Sequence, residues 1–346
     1  MEKRARLALV ALLLGLTASG PGEALLAEEA GKDAKAKNAV DAAAPDDTLV
    51  LGTFRLKKKK PVIDGDTIKV EGLDKSLRLL CIDTEEIFHK PERRGMSAAN
   101  FPAYAKAMRG DGRPAKYGTP MGEVATVWAR RFFEKVKKVR LERDEVGRKR
   151  GYFDRHLVYV FAKKDGVWIN YNLAAVRAGM APYFVKYGRC GRFDAEFVAA
   201  QKEAQIAHRG IWSDALYHYP DYDERLTWWE ERAATIDRFR ARSAKDADLI
   251  DLMADDGLER ALDRLGDTVT VFSSFGDARL DKKPYLVPLS HRRNKDFLIV
   301  AFDDQQLAKI GLEKWKGKLV HVRGKVSQFR GRPQMKASDV EKIWVE

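Results

Sequence analysis

The chain has 346 residues, 45% of them hydrophobic and 33% charged, with a formal net charge of +13. Single cores rarely grow past roughly 250–300 residues, so this length predicts two domains. The positive excess points to a polyanionic partner, nucleic acid or an anionic membrane surface, while two cysteines exclude a disulfide-dense scaffold and six scattered histidines without paired spacing exclude a zinc site.

Met1–Arg6 is basic, Leu7–Leu16 is apolar, and small residues follow up to Ala24 and Ala27. This is the pattern of an export signal, and its apolar run falls short of the roughly 20 residues that span a bilayer. The reading is a signal peptide over 1–27, an Ala-, Lys- and Asp-rich spacer without aromatics over 28–48, and a secreted or otherwise extracytoplasmic protein, possible locations including the periplasm. Short strands and turns fill Leu49–Val70, punctuated by Pro61 and Asp64-Gly65, and Leu77–Ile82 is a strand that is apolar apart from Arg78. Lys90–Pro120, rich in Gly, Pro, Arg and Ala and poor in periodicity, reads as a long loop. Val124, Val127, Trp128, Phe132 and Val136 recur at three- and four-residue steps and predict a helix over 121–136. Strands follow at Val139–Glu142 and Leu157–Phe161, then helices at Asn170–Ala178, stopped by Gly179, and at Glu196–Ala207.

From 217 to 265 the chain is highly charged and helical in pattern, with Trp228, Trp229, Ile236 and Phe239 as its apolar side. Thr268–Phe272, Phe297–Phe302, Leu319–Val326 and Ile343–Val345 read as strands, with a helical stretch near Gln305–Ile310. The predicted architecture is α+β: a small barrel with helices over 49–216, a helical connector over 217–265 and a second all-β domain over 266–346. Cys81 sits in an apolar strand and Cys190 in a Gly-Arg-rich loop, and both a disulfide and two free thiols remain open.

The chemistry concentrates in residues 64–86. Asp64, Asp66, Asp83 and Glu86 offer carboxylates and Thr84 a main-chain carbonyl, the hard oxygens that calcium and magnesium prefer. Arg78 lies inside an apolar run, where a guanidinium is costly without an anion. Carboxylates beside an arginine suit a divalent cation and a phosphodiester together, which makes phosphoryl chemistry the leading expectation. Asp64-Gly65 is equally the commonest hairpin signal. Arg78 and Asp83 stand roughly 16 Å apart along an extended strand and on opposite faces, so only a twisted, curved strand brings them together.

The blocks Val62-Ile63-Asp64-Gly65-Asp66-Thr67 and Leu77-Arg78-Leu79-Leu80-Cys81-Ile82-Asp83-Thr84 resemble the staphylococcal nuclease-like (thermonuclease) family. The resemblance continues at Lys116-Tyr117-Gly118, Asp154-Arg155-His156-Leu157-Val158-Tyr159-Val160, Glu203-Ala204-Gln205-Ile206-Ala207 and Ile211-Trp212-Ser213. It implies a five-stranded oligonucleotide-binding (OB) barrel with helices, and calcium-dependent cleavage of DNA and RNA that leaves 3′-phosphates. It further implies Asp66, Asp83 and the Thr84 carbonyl as calcium ligands, Glu86 as the base acting on water, and Arg78 and Arg155 as phosphate clamps. Tyr183 and Tyr187 fall where the family places tyrosines near the nucleotide, and Lys149 and Arg150 belong to a basic stretch suited to tracking a phosphate backbone.

Two departures stand out. Glu85 occupies the place of the usual proline, which leaves two candidate bases with Glu86 favoured by position, and Phe153-Asp154-Arg155 replaces Tyr-Gly-Arg. The 90–116 segment, longer than in short members, is either a lid or substrate clamp or a tolerated insertion. Gly317–Val326 and Phe329–Met335 resemble nucleic-acid-binding OB domains, which implies added grip through Arg323, Lys325, Phe329, Arg330 and Arg332. The competing readings are a binding protein with catalysis lost and a scaffold built on two OB-type barrels.

Overall fold

A computed structural model describes residues 46–110, 114–146, 149–214, 217–289 and 296–345. The expected signal peptide over 1–27, and the spacer as far as residue 45, lie outside the described residues. Contacts divide the chain into two compact units, one of residues up to 144, 158–185 and 190–228, the other of 145–157, 186–189 and 229–346.

The strands of the first unit are β1 (Val50–Arg55), β2 (Val62–Asp64), β3 (Thr67–Ile68), β4 (Leu77–Leu79), β5 (Lys138–Glu142), β6 (His156–Lys164) and β7 (Val167–Asn170). They run in the order β1-β5-β6-β4-β3-β2, with β7 added on β6. Where a five-stranded OB-type barrel is expected, the assigned strands make one seven-stranded sheet whose strand order is not closed. β2, β3 and β4 are two or three residues long, too short for a continuous ladder. The sheet nevertheless curls, because Lys57 N donates to Lys69 O (3.1 Å) and Glu71 N to Arg55 O (2.8 Å), which returns the chain after β3 to the end of β1.

Helices α1 (Pro91–Ala99) and α2 (Phe101–Arg109) replace most of the loop expected over Lys90–Pro120. Each begins with a proline in its first turn, where the missing N–H costs nothing, and the Asn100 side chain accepts from Ala103 N (3.1 Å) to cap the second. The pair buries only Ser97, Tyr104 and Ala105, too few apolar positions to produce a visible period. Helix α3 (Pro120–Phe133) is capped by Thr119, whose hydroxyl accepts from Gly122 N (3.0 Å).

Helices α4 (Tyr171–Arg177) and α5 (Asp194–Ile206) complete the core of this unit. Tyr159, Tyr171 and Phe197 are fully buried there. Asn172, also buried, donates through Nδ2 to Leu80 O (2.8 Å) and Val158 O (3.2 Å) and accepts at Oδ1 from Val160 N (3.0 Å). It thereby ties the chain leaving β4 to β6. Cys81 and Cys190 are joined as a disulfide with Cα atoms 6.3 Å apart, which settles the pairing left open by the sequence.

Helix α6 (Tyr222–Ser243) buries Trp229, Ile236 and Phe239 of its expected apolar side, and Phe239 stacks on Phe272 at 4.4 Å within the second unit. That unit contains β8 (Leu249–Asp251), α7 (Gly257–Leu262), β9 (Thr268–Ser274), β10 (Tyr285–Leu289), β11 (Phe297–Ala301), α8 (Asp304–Ile310), α9 (Leu312–Trp315), β12 (Leu319–Lys325), β13 (Ser327–Phe329), β14 (Arg332–Lys336) and β15 (Val340–Trp344). Two four-stranded sheets result, β10-β11-β14-β13 and β15-β12-β9-β8, around a core that includes Val271, Phe297, Ile299, Val320 and Met335. The expected all-β OB-like domain is therefore two sheets with interspersed helices, and the β8–β9 and β11–β14 pairs are parallel. Among the described residues no helix is long and apolar enough to cross a membrane.

Candidate active site

The site is assembled by the β3–β4 pairing and the turn that follows it. Thr67 stands opposite Arg78, and Leu79 N donates to Asp66 O (3.0 Å), so Asp66 lies beside β4. Past β4 the chain turns at Cys81, whose φ of 67° is in the left-handed region. This turn, rather than a gently curved strand, brings Asp83 back to Arg78: Arg78 Nη2 donates to Ile82 O (3.1 Å) and pairs with the Asp83 carboxylate, while Nη1 pairs with Asp66. One guanidinium thus gathers both aspartates, which are 5% and 6% exposed.

Asp66 is held from further directions. Thr67 Oγ1 donates to its Oδ1 (3.0 Å) and Thr84 N to its Oδ2 (3.0 Å). Gly65 permits that approach, since a Cβ there would lie 2.5 Å from Thr84 Cγ2. Burial pushes the Asp66 carboxyl toward its neutral form, but the charges of Arg78 and Lys116 outweigh it and hold the group at about 2. Asp64 goes the other way, up to about 7, because of its own burial and then the adjacent Asp66 charge. Arg78 is desolvated as well, yet its two carboxylate partners raise its pKa and keep it charged.

Lys116 is the residue that sequence reasoning missed, although its Lys-Tyr-Gly block was the available signal. Its Nζ lies 2.6 Å from Asp83 Oδ1 and 3.5 Å from Glu86 Oε1. It therefore joins the buried aspartate pair to Glu86, whose side chain is 35% exposed.

The two adjacent glutamates have opposite fates. Glu85 is 1% exposed. Its Oε1 accepts from Tyr219 N (2.7 Å) and Tyr222 OH (2.8 Å), and its Oε2 from the Thr119 hydroxyl. Burial raises its pKa against these bonds. Enclosed in this way, Glu85 cannot reach a water outside, so of the two candidate bases only Glu86 faces one. The backbone of Glu86 is fixed by Thr119 N, which donates to its carbonyl (3.0 Å), and by the first turn of α3. A Cβ at Gly122 would lie 2.1 Å from that carbonyl oxygen, so only glycine fits.

A cavity of about 390 Å³ opens beside Glu86, lined by Ile87, Phe88, His89, Lys90, Arg93, Lys116, Tyr117 and Gly118 as well. The remaining sequence candidates are placed otherwise. Tyr183 is buried, its ring stacked on Phe197 at 5.0 Å and its hydroxyl donating to Asp194 Oδ1 (2.6 Å), so it offers no face to a base. Arg140, part of the basic stretch, is packed on Phe161 and Trp168 and paired with Glu142 (2.6 Å).

Tyr187, Lys149, Arg150 and Arg155 belong to segments of the second unit. Tyr187 is 39% exposed, with Lys186 Nζ 5.5 Å from its ring. Lys149 is exposed, and its N–H bonds to Asp255. Arg150 Nη1 donates to Asp154 O (2.8 Å), and the Arg155 guanidinium lies 5.9 Å from the Phe153 ring. Asp154 adopts a φ of 60°, a conformation that aspartate tolerates and glycine takes freely.

Asp66 and Asp83 are the hard-oxygen pair that a cation would use. Among the described residues no group of three His, Cys, Asp or Glu side chains is close enough to hold a metal ion by itself, so a main-chain oxygen such as that of Thr84 would have to complete the set. Two desolvated carboxylates, a shared guanidinium, an ammonium and a half-exposed glutamate form an arrangement that can bind a phosphate and withdraw a proton beside it.

Residues 76–214 match the family model described as staphylococcal nuclease homologue, so the chain carries a domain of that nuclease-type family, with the OB-like fold that it implies. The match takes in Arg78, the 83–86 turn, Lys116 and Arg155, and begins downstream of Asp66. No curated protein matches the chain.

Proposed function

We propose that the chain is an exported, calcium-dependent endonuclease that hydrolyses phosphodiester bonds of DNA and RNA with little sequence selectivity. One observation carries the reading: a single guanidinium, Arg78, draws Asp66 and Asp83 together beside the one glutamate of the 83–86 turn that faces the open cavity. The two carboxylates, with the Thr84 carbonyl, have the donor chemistry that calcium takes, and they would hold it. The bound ion would polarise a phosphoryl oxygen. Arg78 receives the phosphate and stabilises its growing charge, a role that the resemblance also gives Arg155. Glu86 accepts the proton of the attacking water as the new oxygen–phosphorus bond forms. The bond to the 5′ oxygen breaks and that oxygen takes a proton from solvent water, leaving a 3′-phosphate and a 5′-hydroxyl. Phosphate contacts carry no base information, which accounts for the low selectivity.

Plasmid and RNA digestion with calcium, magnesium or EDTA tests the proposal, repeated with Arg78→Ala and Glu86→Gln. Cleavage that needs calcium and collapses in both variants is the expected result. Intact substrates in every metal would sink it. A second reading, a nucleic-acid binder without catalysis, is favoured by one contact: the Lys116 ammonium already neutralises Asp83. It predicts salt-sensitive oligonucleotide binding with no cleavage. Export rests on the pattern of residues 1–27, and recovery of a shortened chain outside the cytoplasm is its test.

A further inference from the structure

The cavity beside Glu86 has a composition that the hydrolysis reading does not use. Its walls come from the turn that follows Glu86 and from Lys116–Gly118, held side by side by the parallel bridge between Glu86 and Gly118. Arg93 reaches it from the first turn of α1, so the helical insert supplies part of the wall. At about 390 Å³ it falls within the roughly 300–1,000 Å³ of small-molecule sites. Its apolar surface is Ile87 and Phe88, both half-buried.

The charged lining is Lys90, Arg93 and Lys116 against the single carboxylate of Glu86. Lys90 and Arg93 are exposed, and neither is held in an ion pair among the described residues, whereas the neighbouring Arg94 is paired with Glu123 at 2.6 Å. The Phe88 ring has the Arg94 guanidinium at 5.4 Å and the Tyr104 ring at 6.1 Å, and the part of it that lines the cavity, with unneutralised cations at the rim, matches one nucleotide: a base for Phe88 and a phosphate for Lys90 and Arg93. Duplex bases are occupied in their own stack, so the occupant must be unpaired.

We propose that this cavity is a subsite for one unpaired nucleotide of a nucleic-acid strand, flanking the scissile linkage, with its base against Phe88 and its phosphate between Lys90 and Arg93. The inference rests on the nuclease reading for its place along the strand, but not for binding itself.

The test is fluorescence anisotropy of the full chain with labelled oligothymidylate eight nucleotides long, in EDTA so that nothing is cleaved, over a salt series. Lys90→Ala with Arg93→Ala, both at exposed positions, is expected to weaken binding about tenfold and to flatten the salt dependence by about 0.7, the value for one phosphate of a single strand. An octamer lacking its bases should bind the unaltered chain more weakly, and Phe88→Leu should reduce that difference, since stacking is worth roughly 5- to 150-fold per base. Unchanged affinity and salt slope in the double variant overturn the subsite, whether or not the chain cleaves nucleic acid. Equal binding of octamers with and without bases also overturns it. Binding that behaves as expected in a chain that never cleaves would retain the subsite and remove the nuclease reading.

Discussion

Replacing Glu85 should unsettle the first unit far more than replacing the more exposed Glu86. The Glu85 carboxylate accepts from Tyr219 N, Tyr222 OH and Thr119 Oγ1, all inside the protein. Glu85→Ala removes the shared acceptor and strands three buried donors at about 1–3 kcal/mol each, reduced where Thr119 or an entering water finds another partner, for an expected total of about 3–5 kcal/mol. Tyr222→Phe removes a single donor and leaves the other two in place, for a loss of about 1–2 kcal/mol. Glu85→Gln keeps an acceptor oxygen in the same volume and should stay within about 1 kcal/mol of the unaltered chain. Urea unfolding followed by tryptophan fluorescence gives the ranking from the midpoint shifts, which remain comparable even if the two units unfold separately. Because the same bonds fix the turn that carries Glu86, nuclease activity should fall in the same order. A Glu85→Ala midpoint indistinguishable from that of the unaltered chain would refute the reasoning, since the bonds would then be worth no more than those made to water.

Gly122→Ala drives a methyl group into the Glu86 carbonyl, 2.1 Å from the built Cβ. Activity should drop by about tenfold or more with helix content unchanged by circular dichroism, as an ångström of misplacement can cost about a hundredfold. Lys116→Met removes the ammonium from Asp83, so calcium affinity measured by calorimetry in the absence of substrate should rise, and an unchanged or weaker affinity would show that Lys116 does not compete for that carboxylate. Cys190→Ser opens the Cys81–Cys190 bond, which spans 109 positions. Its cost should be about 2–4 kcal/mol in urea unfolding, and none under reducing conditions where both chains lack the bond. In the second unit, hydrogen bonds from Lys283 and Tyr285 hold the exposed Asp304 below its ordinary value of 3.8. Its contribution is present above that value and lost as pH falls through the lowered one, so its carboxyl carbon should titrate below pH 3.8 by NMR and return upward in Lys283→Met.

Much of the local chemistry was legible because it sits in contiguous blocks. Asp66, Arg78, Asp83 and Glu86 were found by residue type and order, and their neighbourhood follows from two short strands and one turn. What spacing could not reveal was the left-handed Cys81, since an odd separation along an extended strand argues for opposite faces. The α1–α2 pair was invisible for a different reason: a helix that buries one or two side chains leaves no hydrophobic period, and its signals are the prolines at its first turns and Asn100 as a cap. Tyr183 shows the limit of position alone, because an aromatic next to a nucleotide site and one packed on Phe197 look identical in a sequence. The second unit was legible strand by strand at Thr268–Phe272, Phe297–Phe302 and Leu319–Val326, but their parallel partners β8 and β14 were not. Parallel pairing joins segments that are distant in sequence, so no turn signal announces it.

Glu85 and Glu86 show how far environment outweighs identity. The same side chain at consecutive positions points to opposite sides of the turn, and each side is defined by different elements. The inner one is closed by Thr119, Tyr219 and Tyr222, the outer one opens between the turn and Lys116. A flexible turn would let either carboxylate swing toward a bound phosphate, and a base that wanders loses the alignment that proton transfer requires. Burying Glu85 among three donors removes that freedom, because turning it outward would strand those donors and drag the Glu86 backbone away from Thr119 N and Gly122. The resemblance expects a proline between Thr84 and Glu86, which would stiffen this turn covalently. Here the stiffness comes from hydrogen bonds to residues more than 130 positions away at Tyr219 and Tyr222, so the competence of Glu86 depends on the folding of a segment that lies beyond the matched domain.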